Sequence, residues 1–242
     1  MEIIEGKNAV LEALRGSRKL KKVLIATGLK ESAVLDEIKS LAKEKSVPLF
    51  VTDRKKLDGL SRGGVHQGVL AYVEPLAYLH LNKFLNSLGE ENNIVILLLD
   101  EVTDPQNLGS LVRTAEAAGV KGIVLTKRRS VGVTPAVVKA SAGAIEYVPL
   151  IQVSNLVLAI EELKKANFWI IGADMAGEKT YFEADLKGRI CLALGSEGKG
   201  LSRLVKEKCD FLVNIPMHGR ISSLNVAVAG AILLFEARRQ EE

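Results

Sequence analysis

The run Ile94–Leu99, six apolar residues in a row closed by Asp100, most constrains what this chain can fold into. It has strand length, and a strand without polar alternation must be covered on both faces. Similar short segments follow at Gly122–Leu125, Phe168–Gly172, Ile190–Leu194 and Phe211–Ile215. Helical periodicity is read at Gln106–Ala118, Pro135–Ala142, Asn155–Lys165, Leu201–Lys206 and Leu224–Arg239. Buried strands alternating with helices specify an α/β domain with a mostly parallel sheet and crossover helices. In open sheets of this kind ligands bind outside the carboxyl ends of the strands. The unusual residues of this chain fall at those ends.

The first 73 residues form a different, smaller pattern. A short amphipathic helix at Asn8–Arg15, a strand at Lys22–Ala26, a helix at Glu31–Lys45, and strands at Pro48–Thr52 and Gly68–Val73 predict a compact α/β/α module. Gly63 and Gly64 mark a tight connection before the last strand. Residues 74–92 lose regularity, with Pro75, Asn82, Asn86, Gly89 and a polar Glu90–Asn93 run. They are read as a linker carrying one short helix at Leu81–Leu88, and residues 93–242 as the second domain. Charge divides along the same line. Residues 1–73 carry 14 Lys+Arg against 9 Asp+Glu, so they hold more than the whole net charge of +4. The cations cluster at Arg15, Arg18, Lys19, Lys21 and Lys22, and again at Arg54, Lys55 and Lys56. Such clusters are either a solvated surface or a footprint for an RNA backbone, where clustered cations release counterions.

Several classes are disfavoured. No apolar run approaches the roughly 18 residues that span a bilayer, and the N-terminus has no secretory pattern, so a cytoplasmic protein without a membrane partner is expected. Cys191 and Cys209 then read as reduced core thiols. His66, His80 and His218 share no ligand spacing with them, so no metal is expected.

Three motifs lie in the second domain. Asp104–Arg113 enters a helix, with Asp104 suited to the N-cap and Pro105 to the first helical position. Arg113 sits in a stretch of small and apolar residues, so its guanidinium either snorkels outward or is buried with a partner. Leu194-Gly195-Ser196-Glu197-Gly198-Lys199-Gly200 ends a strand. Its glycine spacing fits neither the phosphate loop nor the dinucleotide fingerprint. Glu197 in that turn disfavours a phosphate ligand and suits a neutral or cationic one, or an arginine. The third motif, Ile215-Pro216-Met217-His218-Gly219-Arg220-Ile221-Ser222-Ser223-Leu224-Asn225, precedes the last helix. Ser222 or Ser223 can cap that helix, and Asn225, a weak helix former, is expected in its first turn for another reason. Each motif alone has a structural explanation. Their order at successive strand ends is specific.

Taken in order, these residues resemble the SpoU (TrmH-type) RNA ribose methyltransferases. Asp100–Gly109, Val65–Gly68 and Ile4–Val10 are similar to the RlmB-type branch, whose enzyme methylates a 23S rRNA guanosine. The similarity covers nearly the whole chain. It implies a trefoil-knotted SPOUT domain behind an L30e-like N-terminal domain that binds RNA, and a homodimer formed through the knotted domain. It also implies S-adenosylmethionine as methyl donor, held by Leu194, Gly195, Ser196, Gly198, Ile215, Pro216, Met217 and Leu224. Arg113, Asn107, Glu197, Ser223 and Asn225 are the catalytic set it implies. The long last helix, rich in small and apolar residues (Ala227, Ala229, Gly230, Ala231, Leu233, Leu234), is either interface or core. Two other readings stand beside this one: a tRNA ribose methyltransferase, and an L30e-type RNA-binding protein without catalysis. The trio Arg113, Glu197 and Asn225 speaks against the latter, because binding alone does not require it.

Overall fold

The computed structural model describes residues 1–61 and 65–242, so Gly63 and Gly64 lie outside the described residues. In chain order the first elements are β1 (Glu2–Glu5), α1 (Lys7–Arg15), β2 (Leu20–Ala26), α2 (Ala33–Glu44), β3 (Leu49–Thr52), α3 (Arg54–Leu60) and β4 (Val69–Val73). Next come α4 (Leu81–Ser87), β5 (Ile94–Leu99), α5 (Pro105–Ala117), β6 (Gly122–Thr126), α6 (Pro135–Ala140) and β7 (Leu150–Val153). The chain ends with α7 (Leu156–Lys165), β8 (Trp169–Ala173), β9 (Lys179–Thr180), β10 (Arg189–Leu194), α8 (Arg203–Lys208), β11 (Phe211–Asn214) and α9 (Val226–Glu241). No helix among the described residues is long and apolar enough to cross a membrane.

Two compact units result, one of Met1–Ala77 with Val133–Tyr147, the other of Tyr78–Gly132 with Val148–Glu242. The sequence-based division differs in two places. Residues 78–92, read as linker, belong to the second unit, because Leu81, Phe84 and Leu88 are buried in its core. Residues 133–147, read as part of the second domain, belong to the first, where α6 packs on β1.

The first unit is a four-stranded sheet in the order β1-β4-β2-β3, antiparallel except for the β2–β3 pair. Val23, Leu24, Ile25 and Ala26 are all buried, so β2 is covered on both faces. Strand alternation sends Leu24, Ala26 and Leu70 to the face shared with Leu57 of α3. Arg18 is one of the unit's buried ties. It pairs with Glu2 and, at 3.1 Å, with Glu146, and donates to the Glu74 carbonyl at 2.8 Å. Burial outweighs Arg18 in setting the Glu146 carboxyl, which titrates above the usual carboxylate range. Arg18 is therefore not a surface cation, and Arg15 is engaged by Glu12 and Glu37. The expected basic footprint reduces to Lys19, Lys21 and Lys22 with Arg54, Lys55 and Lys56.

The second unit is a seven-stranded sheet in the order β7-β6-β5-β10-β8-β11-β9, with every pairing parallel. All six residues of β5 are buried, as its unbroken apolar run demands. One face carries Ile94, Ile96, Leu98, Val124, Ile170, Cys191 and Ala193 into a core closed by α4, α7 and α8. The other is covered by α5 and α9, which pack on each other, with Gly230 set directly against Leu111 and Leu194. From β5 the chain winds outward through β6 and β7, then crosses to β8, and β10 finally inserts between β5 and β8. The winding reverses where the chain passes from β7 to β8, and the residues that follow β8, β10 and β11 at the carboxyl edge border a cavity.

Element ends follow local chemistry. The α6 helix stops at Ala140, short of the expected Ala142, because Ala142 and Gly143 adopt left-handed backbone (φ 51° and 96°). The α8 helix begins at Arg203, not Leu201, because Ser202 has extended backbone (φ −63°, ψ 150°) and is the N-cap, its N–H donating to the Asp100 carboxylate at 2.8 Å. Strands β1, β7 and β9 and helix α3 escape the sequence reading because they are short or lie within charged stretches.

Cys191 is buried and Cys209 half-buried, and both are free thiols. Burial pushes the Cys191 thiol up, and Cys209 is pushed up to about 12. The nucleophilic thiolate is therefore scarce at both. In the folded chain a chromogenic disulfide reagent at mildly alkaline pH should react with neither thiol over minutes, and with both once guanidinium unfolds the protein. Rapid native reaction at either would contradict the packing.

Candidate active site

The carboxyl edge of the second sheet brings the three motifs together. Asp104 caps α5 as expected, its carboxylate accepting the Asn107 N–H at 3.1 Å. That cap fixes Asn107 in the first turn of α5, within reach of the loop after β10. After β10, Gly195 lies so close to Gly200 and Leu201 that a Cβ on it would stand 1.9 Å from the Gly200 carbonyl carbon. The loop closes through Gly200 N–H to Ser196 O at 2.9 Å, with Gly198 and Gly200 both left-handed (φ 82° and 66°). This fold of the loop presents Glu197 to the edge.

Asn225, expected inside the first turn of the last helix, is instead its N-cap. Its Oδ1 accepts the Ala227 and Val228 N–H groups at 2.9 and 3.3 Å, displacing Ser222 and Ser223 from that role. The other end of the same side chain does separate work. Asn225 Nδ2 donates to Asn107 Oδ1 at 2.8 Å and to Glu197 Oε1, while Asn107 Nδ2 donates to the same Glu197 oxygen at 3.1 Å. One carboxylate oxygen thus ties together the starts of α5 and α9 and the loop after β10. Charge-assisted bonds of this type are stronger than neutral ones. Glu197 Oε2 has no partner among the described residues.

Beside this triad lies a cavity of about 440 Å³. Of the expected donor-binding residues, Leu194, Gly195, Ser196, Gly198, Ile215, Met217 and Leu224 line it, as do Glu197 and Ser223. Pro216 lies between two lining residues without lining it. Asn107 and Asn225 do not line it: Asn107 reaches it through Glu197, and Asn225 stands between the lining residues Leu224 and Val226 and bonds the same carboxylate. Arg113 is not brought in. Six residues along α5 place it about 9 Å from Asn107 and on another face of the helix, exposed and without a partner among the described residues. The snorkelling alternative holds for it, and Glu197 orients the two asparagines, not the arginine.

Sequence reasoning missed Asp174 and Met175, which also line the cavity. Asp174 follows the last residue of β8, so the rule that ligands sit at strand carboxyl ends could have found it. Its carboxylate is held by Lys206 at 2.5 Å and by the Ala176 N–H at 3.0 Å. The lining is apolar with a few convergent polar groups, the common composition of a small-molecule site.

Comparison with known proteins assigns the chain to a family. Residues 94–235 match the family model of the SpoU rRNA methylase family, and residues 3–79 match a model described as RNA 2′-O ribose methyltransferase substrate binding. A Bacillus subtilis (strain 168) protein named as a TrmH family tRNA/rRNA methyltransferase, YacO, is 42% identical over 240 residues, covering 99% of this chain and 96% of that one. The crystal structure of the SpoU methyltransferase AviRb from Streptomyces viridochromogenes in complex with AdoMet shares the fold. Its TM-score is 0.83 at 24% identity, over 99% of this chain and 89% of that one. An AdoMet-bound rRNA methyltransferase from Sinorhizobium meliloti matches with TM-score 0.77 and 26% identity, over 98% and 86% of the two chains. Fold and site together define the class, an RNA methyltransferase of SPOUT architecture. Within it, the chain belongs to the SpoU (TrmH) family.

Gly195 is the position where the loop geometry tolerates least. Replacing it with Ala forces backbone apart, and overpacking of even side chains costs about 1–3 kcal/mol. At about 2–4 °C per kcal/mol for a chain of this size, Gly195→Ala should lower Tm by about 2–12 °C. Gly219→Ala, which meets nothing within 4 Å, should leave it unchanged. Equal melting of the two variants would contradict the loop packing.

Proposed function

We propose that this chain transfers a methyl group from S-adenosylmethionine to the ribose 2′-hydroxyl of an RNA nucleotide, a guanosine of 23S rRNA. The observation that carries the reading is the cavity lined by Leu194–Gly200, Ile215, Met217 and Ser223–Leu224 with the Glu197 triad beside it. The donor supplies a sulfonium methyl group. Leu194, Ile215, Met217 and Leu224 offer apolar surface to its base and side chain, and the close Gly195–Gly200 approach leaves main chain as the wall. Glu197 gives the cavity a carboxylate with one oxygen open to a ligand, consistent with the chemistry expected of the Gly-Ser-Glu-Gly loop, whereas Asp174 is compensated by Lys206.

A ribose hydroxyl is a weak nucleophile near neutrality, so its proton must be taken or polarised while the oxygen is aligned with the methyl group. Arg113, whose guanidinium offers donors and no acceptor, acts on the phosphate of the target nucleotide and lowers the hydroxyl pKa electrostatically. Its exposed guanidinium, without a partner among the described residues, suits a group that waits for an anion. Glu197 Oε2 is the open carboxylate oxygen of the triad, able to accept the hydroxyl's hydrogen bond. Asn107 and Asn225 hold that carboxylate in place, and Ser223 contributes its hydroxyl to the cavity wall. The RNA is held by the first unit through its remaining surface cations.

Arg113→Ala should lower kcat by roughly 100-fold or more, the scale of losing one electrostatic stabiliser. Calorimetry should show S-adenosylmethionine affinity unchanged. Near-normal turnover would remove Arg113 from the mechanism. Mass mapping of 2′-O-methyl sites after incubation with total bacterial RNA decides between 23S rRNA and a tRNA, the alternative to which the tRNA/rRNA relatives point.

We also read the chain as a homodimer. On α9, Gly230, Leu233, Leu234 and Ala237 are core, yet Val228 and Phe235, seven residues apart and so on one face, are about half exposed. An exposed apolar pair on a helix of this kind suits a second copy. Phe235→Glu should convert the species seen by light scattering at micromolar concentration from dimer to monomer. A monomeric unaltered chain would overturn this part of the reading.

A further inference from the structure

The turn that follows β6 carries three consecutive cations, Lys127, Arg128 and Arg129, all exposed. Strand register places them at the level of the site. Leu125 is paired with Leu99, and Leu99 with Leu194, so β5 and β10 end together and β6 ends one residue beyond them. Residues 127–129 therefore project beyond the same edge as Asp100 and the Gly195–Gly200 loop. With strands spaced about 4.8 Å apart, the ends of β6 and β10 are separated by roughly 10 Å.

The turn is built, not loose. The Lys127 N–H donates to Val153 O at 2.9 Å, and the Val131 N–H to Val102 O at 3.0 Å. Thr126 Oγ1 donates to Arg128 O at 2.5 Å and lies 2.8 Å from Ser130 Oγ. Arg129 is left-handed (φ 63°) and pairs at 3.2 Å with Glu101, itself left-handed (φ 58°). Lys127 and Arg128 have no side-chain partner among the described residues. At the opposite end of the strands, Lys121, Lys164, Lys208 and Arg189 are each engaged by a carboxylate or carbonyl.

We infer that this turn is an RNA-backbone clamp, in which Lys127 and Arg128 hold phosphates of the strand whose target nucleotide occupies the neighbouring site. The partner is RNA backbone because the groups on offer are cations without a reading surface, and guanidinium and ammonium on a fixed turn complement phosphate. A pre-ordered turn loses little freedom on capture. The clamp belongs to the second unit, so it adds to the cations of the first and positions RNA where the chemistry occurs. Arg129 acts through Glu101 to hold the turn.

The inference rests on the RNA-facing reading of this edge given above. Its test is the salt dependence of binding to a fluorescein-labelled oligouridylate, measured by anisotropy with the full chain. Each phosphate contact to a single strand contributes about 0.7 to the slope of log K against log salt. The double variant Lys127→Ala/Arg128→Ala should reduce that slope by roughly 1.4, with melting temperature and S-adenosylmethionine affinity unchanged. Lys165→Ala, an exposed cation at the far edge, should leave the slope as it is, and Lys127→Arg/Arg128→Lys should restore it. Methyl transfer by the double variant should show a raised KM for RNA with kcat retained. A slope equal to that of Lys165→Ala overturns the clamp, even in a chain that methylates RNA normally. A reduced slope in a chain that transfers no methyl group supports the clamp and sinks the enzymatic reading instead.

Discussion

The pairing of β10 between β5 and β8 is the constraint on which the rest of the second unit depends. It is parallel on both sides, so the strand can be reached only by a crossover, and it brings a loop from residue 195 beside one from residue 100. Asp100 seals the junction, its N–H donating to Leu194 O and its buried carboxylate accepting the Ser202 N–H, both at 2.8 Å. A buried carboxylate is costly unless hydrogen-bonded. Here that cost is offset by a bond that also sets where α8 begins and so how the glycine loop must turn.

From that junction the site follows by short steps. Gly195 can approach Gly200 only without a Cβ, and their contact aims Glu197 at the starts of α5 and α9. Asn225 then serves two structures with one side chain, capping α9 through oxygen and joining the triad through nitrogen. Residues that cap helices are ordinarily read as stability elements. In this chain the caps Asp104 and Asn225 also set the positions of groups beside the cavity. The close packing of α5 on α9 through Gly230 and Leu111 keeps those two helix starts in register.

The distribution of charge changes meaning once the chain is folded. Counted along the sequence, the excess of cations lies in the first 73 residues, and the second unit carries as many carboxylates as cations. In space, Arg15 and Arg18 are consumed by carboxylates, whereas Lys127 and Arg128 stand unpaired at the edge where Glu197 lies. Net charge is a property of composition. Availability to an anion depends on which cations lack protein partners, and that is set by packing.

Much of this protein was legible before folding. The unbroken Ile94–Leu99 run determined a strand buried on both faces, and the alternation after it determined a parallel sheet. The order of the three motifs pointed to the family, and Asp104 and Pro105 to the start of α5. These are local matters of periodicity, propensity and turn chemistry. The sequence by itself did not show that residues 133–147 complete the first unit, that Asn225 is a cap, that Asp174 lines the cavity, or that Arg113 stands apart from the triad. Each depends on contacts between residues distant along the chain, such as Arg18 with Glu146 or Glu197 with Asn107. Only the tertiary structure decides those, because the same side chain can satisfy its polar atoms locally, in water or across the fold, and packing selects among them.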